Sequence, residues 1–196
     1  MSKEFLKERR ETLEEEFFHR LQSDQIDALR GELERKDTRE QLRAACGIAD
    51  EVVLDQLLAL GLSGVTMTAL SMVPLVWVAW ADGAVQEAER KAVLKAAHER
   101  GIDDGGPAHK LLAGWLERPP KQELFDAWAA YTRALADTLV PSQRTQLRGQ
   151  IVGMARKVAE AAGGFLGIHR ISHKEEVALK AIEAAFGQPA TPETPT

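Results

Sequence analysis

The 196-residue sequence contains a single cysteine, Cys46. One thiol cannot form an internal disulfide or a thiolate cage around a metal, so nothing in the chain requires an oxidising compartment. The first residues, MSKEFLKERRETLEEE, lack the apolar segment that a secretory signal needs. We therefore expect a cytoplasmic protein whose cysteine is a small buried hydrophobe.

Aromatic residues are also scarce, at 6% of the chain, and β-branched residues are few beside abundant Ala, Leu and Glu. This composition favours helix, and no segment shows the two-residue alternation of a strand. The length is sufficient for one sizeable domain whose core needs neither disulfides nor a structural metal. The sequence therefore predicts an all-α fold.

An excess of positive charge is missing as well, because 25 Lys and Arg residues face 30 Asp and Glu residues, for a net charge of -5. Phosphate binding needs a concentrated positive field, so we expect no nucleic-acid partner.

Residues 56–81 form an uncharged run that is long enough to span a membrane. The run is interrupted by Gly, Ser, Thr and Pro and has no flanking Lys or Arg, so we expect buried helices and no membrane span.

Capping and breaker residues divide the chain into about eight helices. A long charged helix is predicted within residues 1–36, a short helical hairpin within 37–63, a helical domain within 64–187, and a disordered Pro- and Thr-rich tail within 188–196. The N-terminal helix has a narrow apolar stripe that includes Leu13, Phe17 and Leu21. Such a charged helix is not stable alone, so its stripe is predicted to dock on the body, another copy or a partner.

The predicted starts and ends of the other helices follow from particular residues. Asp37 or Thr38 and then Asp50 are placed to cap the two helices of the hairpin, which stop at Gly47 and Gly61. A nearly all-apolar helix is predicted to follow Gly64 and run to Ala81, with Pro74 at a kink or in a bent turn. Further helices are predicted over residues 87–100, 107–117, 122–139, 141–162 and 172–186.

Two turns in the body share one pattern. WADGAVQEAERKAVL and LGIHRISHKEEVALK align with an offset of 86 residues, so that Val85 falls on Ile171 and Glu89 on Glu175. In both segments a buried helix leads into a turn, a β-branched residue enters the core, and a helix begins with a Glu near its start. This is a weak internal duplication of a helical hairpin.

The segment VAWADGAVQEAERKAVL resembles the signature of the TerB-like family, named for a tellurite-resistance protein, and AAGGFLGIHRISHKEEVALKAI resembles its second unit. The resemblance covers roughly residues 64–186. It implies a bundle with two helix-turn-helix units, a carboxylate-lined site between the turns that binds a divalent metal, and a stress-response role through protein complexes. The matching residues are Asp82, Gly83, Glu89 and Glu175, while the second unit has Ile168 and His169 in place of the Asp and Gly.

The same acids also fit a purely structural interpretation. Ser172 and Glu175 form an S-x-x-E capping box, Gln86 and Glu89 occupy the equivalent positions, and Asp82 lies in an Asp-Gly turn. Under the site interpretation these carboxylates offer hard oxygen ligands to Ca²⁺, Mg²⁺ or Mn²⁺, with Glu87 as an accessory ligand.

Three functional hypotheses follow. The first is a non-enzymatic cytoplasmic module that acts through protein contacts and binds a divalent cation at Asp82, Glu89, Glu175 and Glu87. The second is a metal-free adaptor or homo-oligomer that uses the N-terminal stripe. The third, a carboxylate-dependent metalloenzyme, requires several acids in one cleft, and the sequence has no nucleophile elbow, phosphate loop or zinc-protease motif.

Overall fold

A computed structural model describes residues 38–162 and 171–187. Helices make up the regular structure in these ranges and no strand occurs in them, which confirms the all-α prediction. The predicted N-terminal helix with Leu13, Phe17 and Leu21, and the predicted tail 188–196, lie outside the described residues. The chain divides into two compact units, Met1–Gln41 and Leu42–Thr196, and the second contains both of the related turns.

Apart from α3 and α4, the described helices begin and end within two residues of the predicted positions. Their bounds are α1 (38–46), α2 (Glu51–Ala59), α3 (Met67–Leu70), α4 (Val73–Ala79), α5 (Glu87–Glu99), α6 (Pro107–Glu117), α7 (Gln122–Thr138), α8 (Pro141–Ala162) and α9 (His173–Ala184). Asp50 caps α2 by accepting hydrogen bonds from the backbone N–H groups of Val52 and Val53 at 2.9 and 3.2 Å. Gly61 has a φ of 75°, the left-handed conformation that ends a helix.

The predicted single helix from Gly64 to Ala81 is wrong. The segment forms two shorter helices, α3 and α4, because the chain leaves the α-helical hydrogen-bond pattern at Ser71 and Met72. Pro74 is the second residue of α4, where its missing N–H needs no acceptor. The proline therefore lies in the first turn of a new helix, where a kink or a bent turn was expected.

Helix α4 lies at the centre of the unit, packed against α5, α7, α8 and α9. Six of its seven residues are buried, namely Val73, Pro74, Leu75, Val76, Val78 and Ala79. The core continues through α1 and α2, so Cys46, with 7% of its surface exposed, is buried as expected. None of the helices in the described ranges is long and apolar enough to cross a membrane.

Equivalent residues of α5 and α9 face the core in the same way, as the sequence repeat predicts. Val93 and Leu179, which the repeat aligns, are 0% and 1% exposed. Val85 and Ile171 are half-buried and pack against that core. Both helices thus depart from their turns in the same orientation to the interior.

Replacing Leu179 by Ala tests this placement. Removing a fully buried leucine side chain leaves a cavity, so we expect a loss of about 2–5 kcal/mol in the free energy of unfolding, measured by urea denaturation. Val177→Ala is the matched control on the same helix, because Val177 is 53% exposed and its loss should change stability by less than about 0.5 kcal/mol. Equal effects from both substitutions would contradict the packing described.

Candidate functional site

Two glutamates are turned inward by the way their helices begin. The first backbone N–H groups of a helix have no partner within it, and a Glu at the third position can accept from the N-cap N–H. Glu89 Oε2 accepts from the Gln86 N–H at 2.7 Å, and Glu175 Oε2 accepts from the Ser172 N–H at 2.6 Å. Each glutamate is only 3% exposed. The capping interpretation of these residues is therefore confirmed.

A side-chain hydrogen bond joins the N-cap of α9 to the turn before α5. The Ser172 hydroxyl donates to Asp82 Oδ1 at 3.0 Å and accepts from the Glu175 N–H at 3.2 Å. Gly83, with a φ of 96°, gives the first turn a conformation that residues with a side chain rarely adopt. The serine thus ties the N-cap of α9 to the turn before α5.

Asp82, Glu89 and Glu175 form a carboxylate cluster, in which burial and neighbouring charges raise the pKa of Glu89. Burial raises the pKa of Glu89 from 4.5 to about 7, the hydrogen bond from Gln86 opposes that rise, and the nearby charges of Glu175 and Asp82 add to it. Glu89 is consequently close to half-protonated at neutral pH. A carboxyl group that is partly protonated near neutral pH can lose its proton and interact with a cation instead, without a large change in pH.

The structure brings three of the four predicted metal ligands together. Asp82 is exposed while Glu89 and Glu175 are buried, and the charges of Asp82 and Glu175 both act on Glu89. Glu87 is exposed on the first turn of α5, where its carboxylate lies 3.6 Å from the Lys91 ammonium. Within the described ranges no group of three or more His, Cys, Asp or Glu side chains is arranged to hold a metal ion.

A second feature, an apolar groove of about 630 Å³, lies beside the cluster. Its volume is within the range of known ligand sites. One wall is a face of α9 and the other is formed by the end of α4 and the start of α7. It is lined by Trp77, Trp80, Ala81, Pro119, Pro120, Gln122, Phe125, His173, Lys174, Val177, Ala178 and Ala181.

Aromatic contacts fix the walls of this groove. The Trp80 indole N–H donates to the Trp115 carbonyl at 2.8 Å. Trp77 stacks on Phe125 with ring centroids 4.6 Å apart, and the row continues through Trp128 to Phe186 at 5.3 and 6.4 Å. Trp77 and Trp80 are both half-buried, and their exposed parts contribute to the lining of the groove.

Comparisons with protein-family models, with characterised proteins and with solved structures find no match to this chain. The described residues define an all-helical protein in which the N-cap of α9 bonds the turn before α5. The TerB-like resemblance stays a prediction that rests on the residues of those turns.

Glu89→Gln is expected to flatten the pH dependence of folding. An acid whose pKa rises on folding binds its proton more tightly in the folded chain, so its contribution to stability is greatest below pH 4.5 and is lost as the pH rises to about 7. Glutamine mimics the protonated acid. We expect the variant to gain roughly 1–3 kcal/mol over the wild type at pH 8 and little at pH 5, in urea denaturation at both pH values.

Glu87→Gln is the control, since Glu87 is exposed in the same helical turn. It should change stability by about 0.3–1 kcal/mol through the helix dipole, by a similar amount at pH 5 and at pH 8. If the free energy of unfolding of the wild type did not decrease from pH 5 to pH 8, the raised pKa of Glu89 would be contradicted.

A double-mutant cycle checks the bond between the turns. Ser172→Ala should cost about 0.5–2 kcal/mol as a lost cap. Because Asp82 accepts from that serine, Asp82→Ala should be non-additive with it by roughly 0.5–1 kcal/mol. Asp50→Ala is the reference cap, whose bonds go to Val52 and Val53, and it should be additive with Asp82→Ala. Additivity in both pairs would show that the bridging bond is absent in solution.

Proposed function

We propose that this chain is a non-enzymatic, cytoplasmic helical module of TerB-like type that acts through protein contacts and binds a divalent cation weakly at Asp82, Glu89 and Glu175. The observation that carries the proposal is the meeting of the α9 N-cap with the turn before α5, where Ser172 bonds Asp82 and the charges of Glu175 and Asp82 act on Glu89. A cation beside these carboxylates would offset the repulsion that Glu89 experiences when it is ionised.

The donor set favours Mg²⁺ or Mn²⁺ held with much of its water. Each buried glutamate has one oxygen engaged by a backbone N–H, and its Oε1 accepts no hydrogen bond from the described residues. Mg²⁺ is commonly bound through one or two carboxylates and keeps several waters. Because Glu89 is partly protonated near pH 7, the cation must displace a proton to bind.

The groove supports the protein-contact part of the proposal. Val177 on its α9 wall is apolar and 53% exposed, and half-buried indoles extend the apolar surface on the α4 wall. His173 and Lys174, which also line the groove, directly follow Ser172. A cation at the cluster and a partner in the groove would therefore act on the same end of α9.

Isothermal titration with Mg²⁺ and Mn²⁺ at pH 6, 7 and 8 tests the cation. We expect affinity to rise about tenfold from pH 6 to pH 8, because one proton competes with the metal below a pKa of about 7. Titration at pH 7 in two buffers of different ionisation enthalpy should show release of a fraction of a proton per cation. Asp82→Ala and Glu89→Gln should each abolish the heat, whereas Glu87→Gln should retain it.

Silence with Ca²⁺, Mg²⁺ and Mn²⁺ at pH 8 would remove the cation from the proposal. Heats that persist unchanged in Asp82→Ala would place the binding elsewhere on the chain.

A further inference from the structure

We propose that the apolar groove binds a small amphiphilic carboxylate, in chemical class a medium-chain fatty acid. The hydrocarbon chain lies between the indoles and α9, and the carboxylate pairs with Lys174 at one end. The inference goes beyond the proposed function, because a ligand seated in the groove would control whether a protein partner can enter it. It rests on the lining of the groove and does not require the cation.

The α9 wall offers a straight apolar face with a charge at one end. Lys174, Val177, Ala178 and Ala181 lie at positions i, i+3, i+4 and i+7, which is one side of a helix. This side is about 10 Å long, from the rise of about 1.5 Å per residue. The small side chains of Ala178 and Ala181 leave room beside the helix for a hydrocarbon chain.

The opposite wall is aromatic and held in place. The Trp80 indole N–H donates to the Trp115 carbonyl at 2.8 Å, so this indole faces the groove without a free polar group. Trp77 stacks on the buried ring of Phe125. Walls fixed by such contacts lose little freedom when a ligand binds, which favours affinity. An apolar lining with few polar groups is typical of small-molecule sites.

The charged groups of the lining favour an anion. Lys174 carries a positive charge, His173 beside it can donate a hydrogen bond, and no Asp or Glu of the described residues lines the groove. The Lys174 ammonium forms no ion pair with any of the described residues. The acids of the carboxylate cluster are outside the lining, and Asp82 is engaged by the Ser172 hydroxyl. In a chain of net charge -5, this end of the groove therefore has the opposite sign.

Two other grooves of the same unit differ in their charges. The α2–α7 groove, of about 450 Å³, is lined by Glu123 and Asp126. The α5–α8 groove, of about 260 Å³, is lined by Glu99. Carboxylates in a lining repel an anionic ligand at short range. Of these three grooves, the one beside α9 is thus the one whose charges complement a carboxylate.

The apolar surface is concentrated inside the groove. The exposed large apolar side chains of the described residues are Val52, Val65, Val140 and Val177, and of these Val177 alone lines the groove. A stable protein interface takes about 800 Å² from each partner, so it extends well beyond one groove. A narrow hydrocarbon chain can instead be received by the groove itself.

Nuclear magnetic resonance of the isotope-labelled full chain, titrated with octanoate at pH 7 in the presence of a metal chelator, tests the proposal. We expect saturable shifts of the Trp77 and Trp80 indole N–H groups and of the backbone amides of residues 174–181, with a dissociation constant on the order of 1 mM. The amides of Gln56 and Ala59, in the α2–α7 groove, should not shift and are the internal control. The absence of saturable shifts at about ten times that concentration would overturn the proposal.

The chain length and the head group are varied separately. From hexanoate through octanoate to decanoate, affinity should rise roughly two- to fourfold for each added CH₂ group. Octylammonium should bind at least about fourfold more weakly than octanoate, because one attraction is lost and one repulsion is gained. An affinity that does not depend on chain length, or octylammonium binding as tight as that of octanoate, would overturn the assigned ligand class.

Variants test the two ends of the site. Lys174→Glu should weaken octanoate at least about fourfold and make octylammonium the tighter ligand, which a merely structural role of Lys174 would not do. Lys180→Glu, an exposed position of α9 outside the lining, is the matched control and should keep the preference for octanoate. Val177→Asp should abolish octanoate binding in a folded chain, whereas Val52→Asp, equally exposed on α2, should retain it. An unchanged preference in Lys174→Glu would contradict the pairing.

Two other occupants of the groove would give different results. We expect the mass of the chain in sedimentation equilibrium to be the same with and without octanoate. A dimer that octanoate dissociates would assign the groove to a second copy and overturn the proposal. Retention on vesicles of anionic phospholipid, without saturable binding of octanoate, would assign it to a membrane surface with the same consequence. Because no divalent metal is present in these measurements, they and the cation titration can fail separately.

Discussion

The unpaired N–H groups at the start of a helix need hydrogen-bond acceptors. In this chain the side chains of Glu89 and Glu175 are the acceptors at two helix starts, and both are buried near each other. Glu89 and Glu175 accept from N-cap N–H groups at 2.7 and 2.6 Å, so neither carboxylate can turn to solvent without exposing the cap. Their helices, α5 and α9, pack on the same central helix, which holds the two caps at one site. The raised pKa of Glu89 is the electrostatic cost of that arrangement.

Helix α9 joins this cluster to the apolar groove. Ser172 caps the helix and bonds Asp82, and the next two residues, His173 and Lys174, already line the groove. The interior face of the same helix is held in the core by Leu179 and Ile182, at 1% and 0% exposure. Because these side chains are packed in the core, the cap at one end of α9 and the groove along its outer face are held at a fixed distance from each other.

Local features of the fold were predictable from sequence, and contacts between distant segments were not. Asp50, Pro107 and Ser172 mark helix starts because capping chemistry acts within three or four residues. The break between α3 and α4 escaped prediction because apolar residues on every face leave no periodicity to interrupt. The repeat predicted that the turns would be related, but the bond from Ser172 to Asp82 spans 90 residues and has no local signal. The groove was missed for the same reason, since its lining comes from several separate segments.

The aromatic row from Trp77 through Phe125 and Trp128 to Phe186 has a consequence for how the molecule opens. The last turn of a helix ordinarily frays by itself, at almost no free-energy cost. Here Phe186, just beyond the end of α9, is 2% exposed and contacts Trp128, so loosening this terminus removes a ring contact and exposes apolar surface. The free-energy cost of fraying at this helix end is therefore higher than at an unpacked one, and the cost falls on the same row of rings that lines the groove.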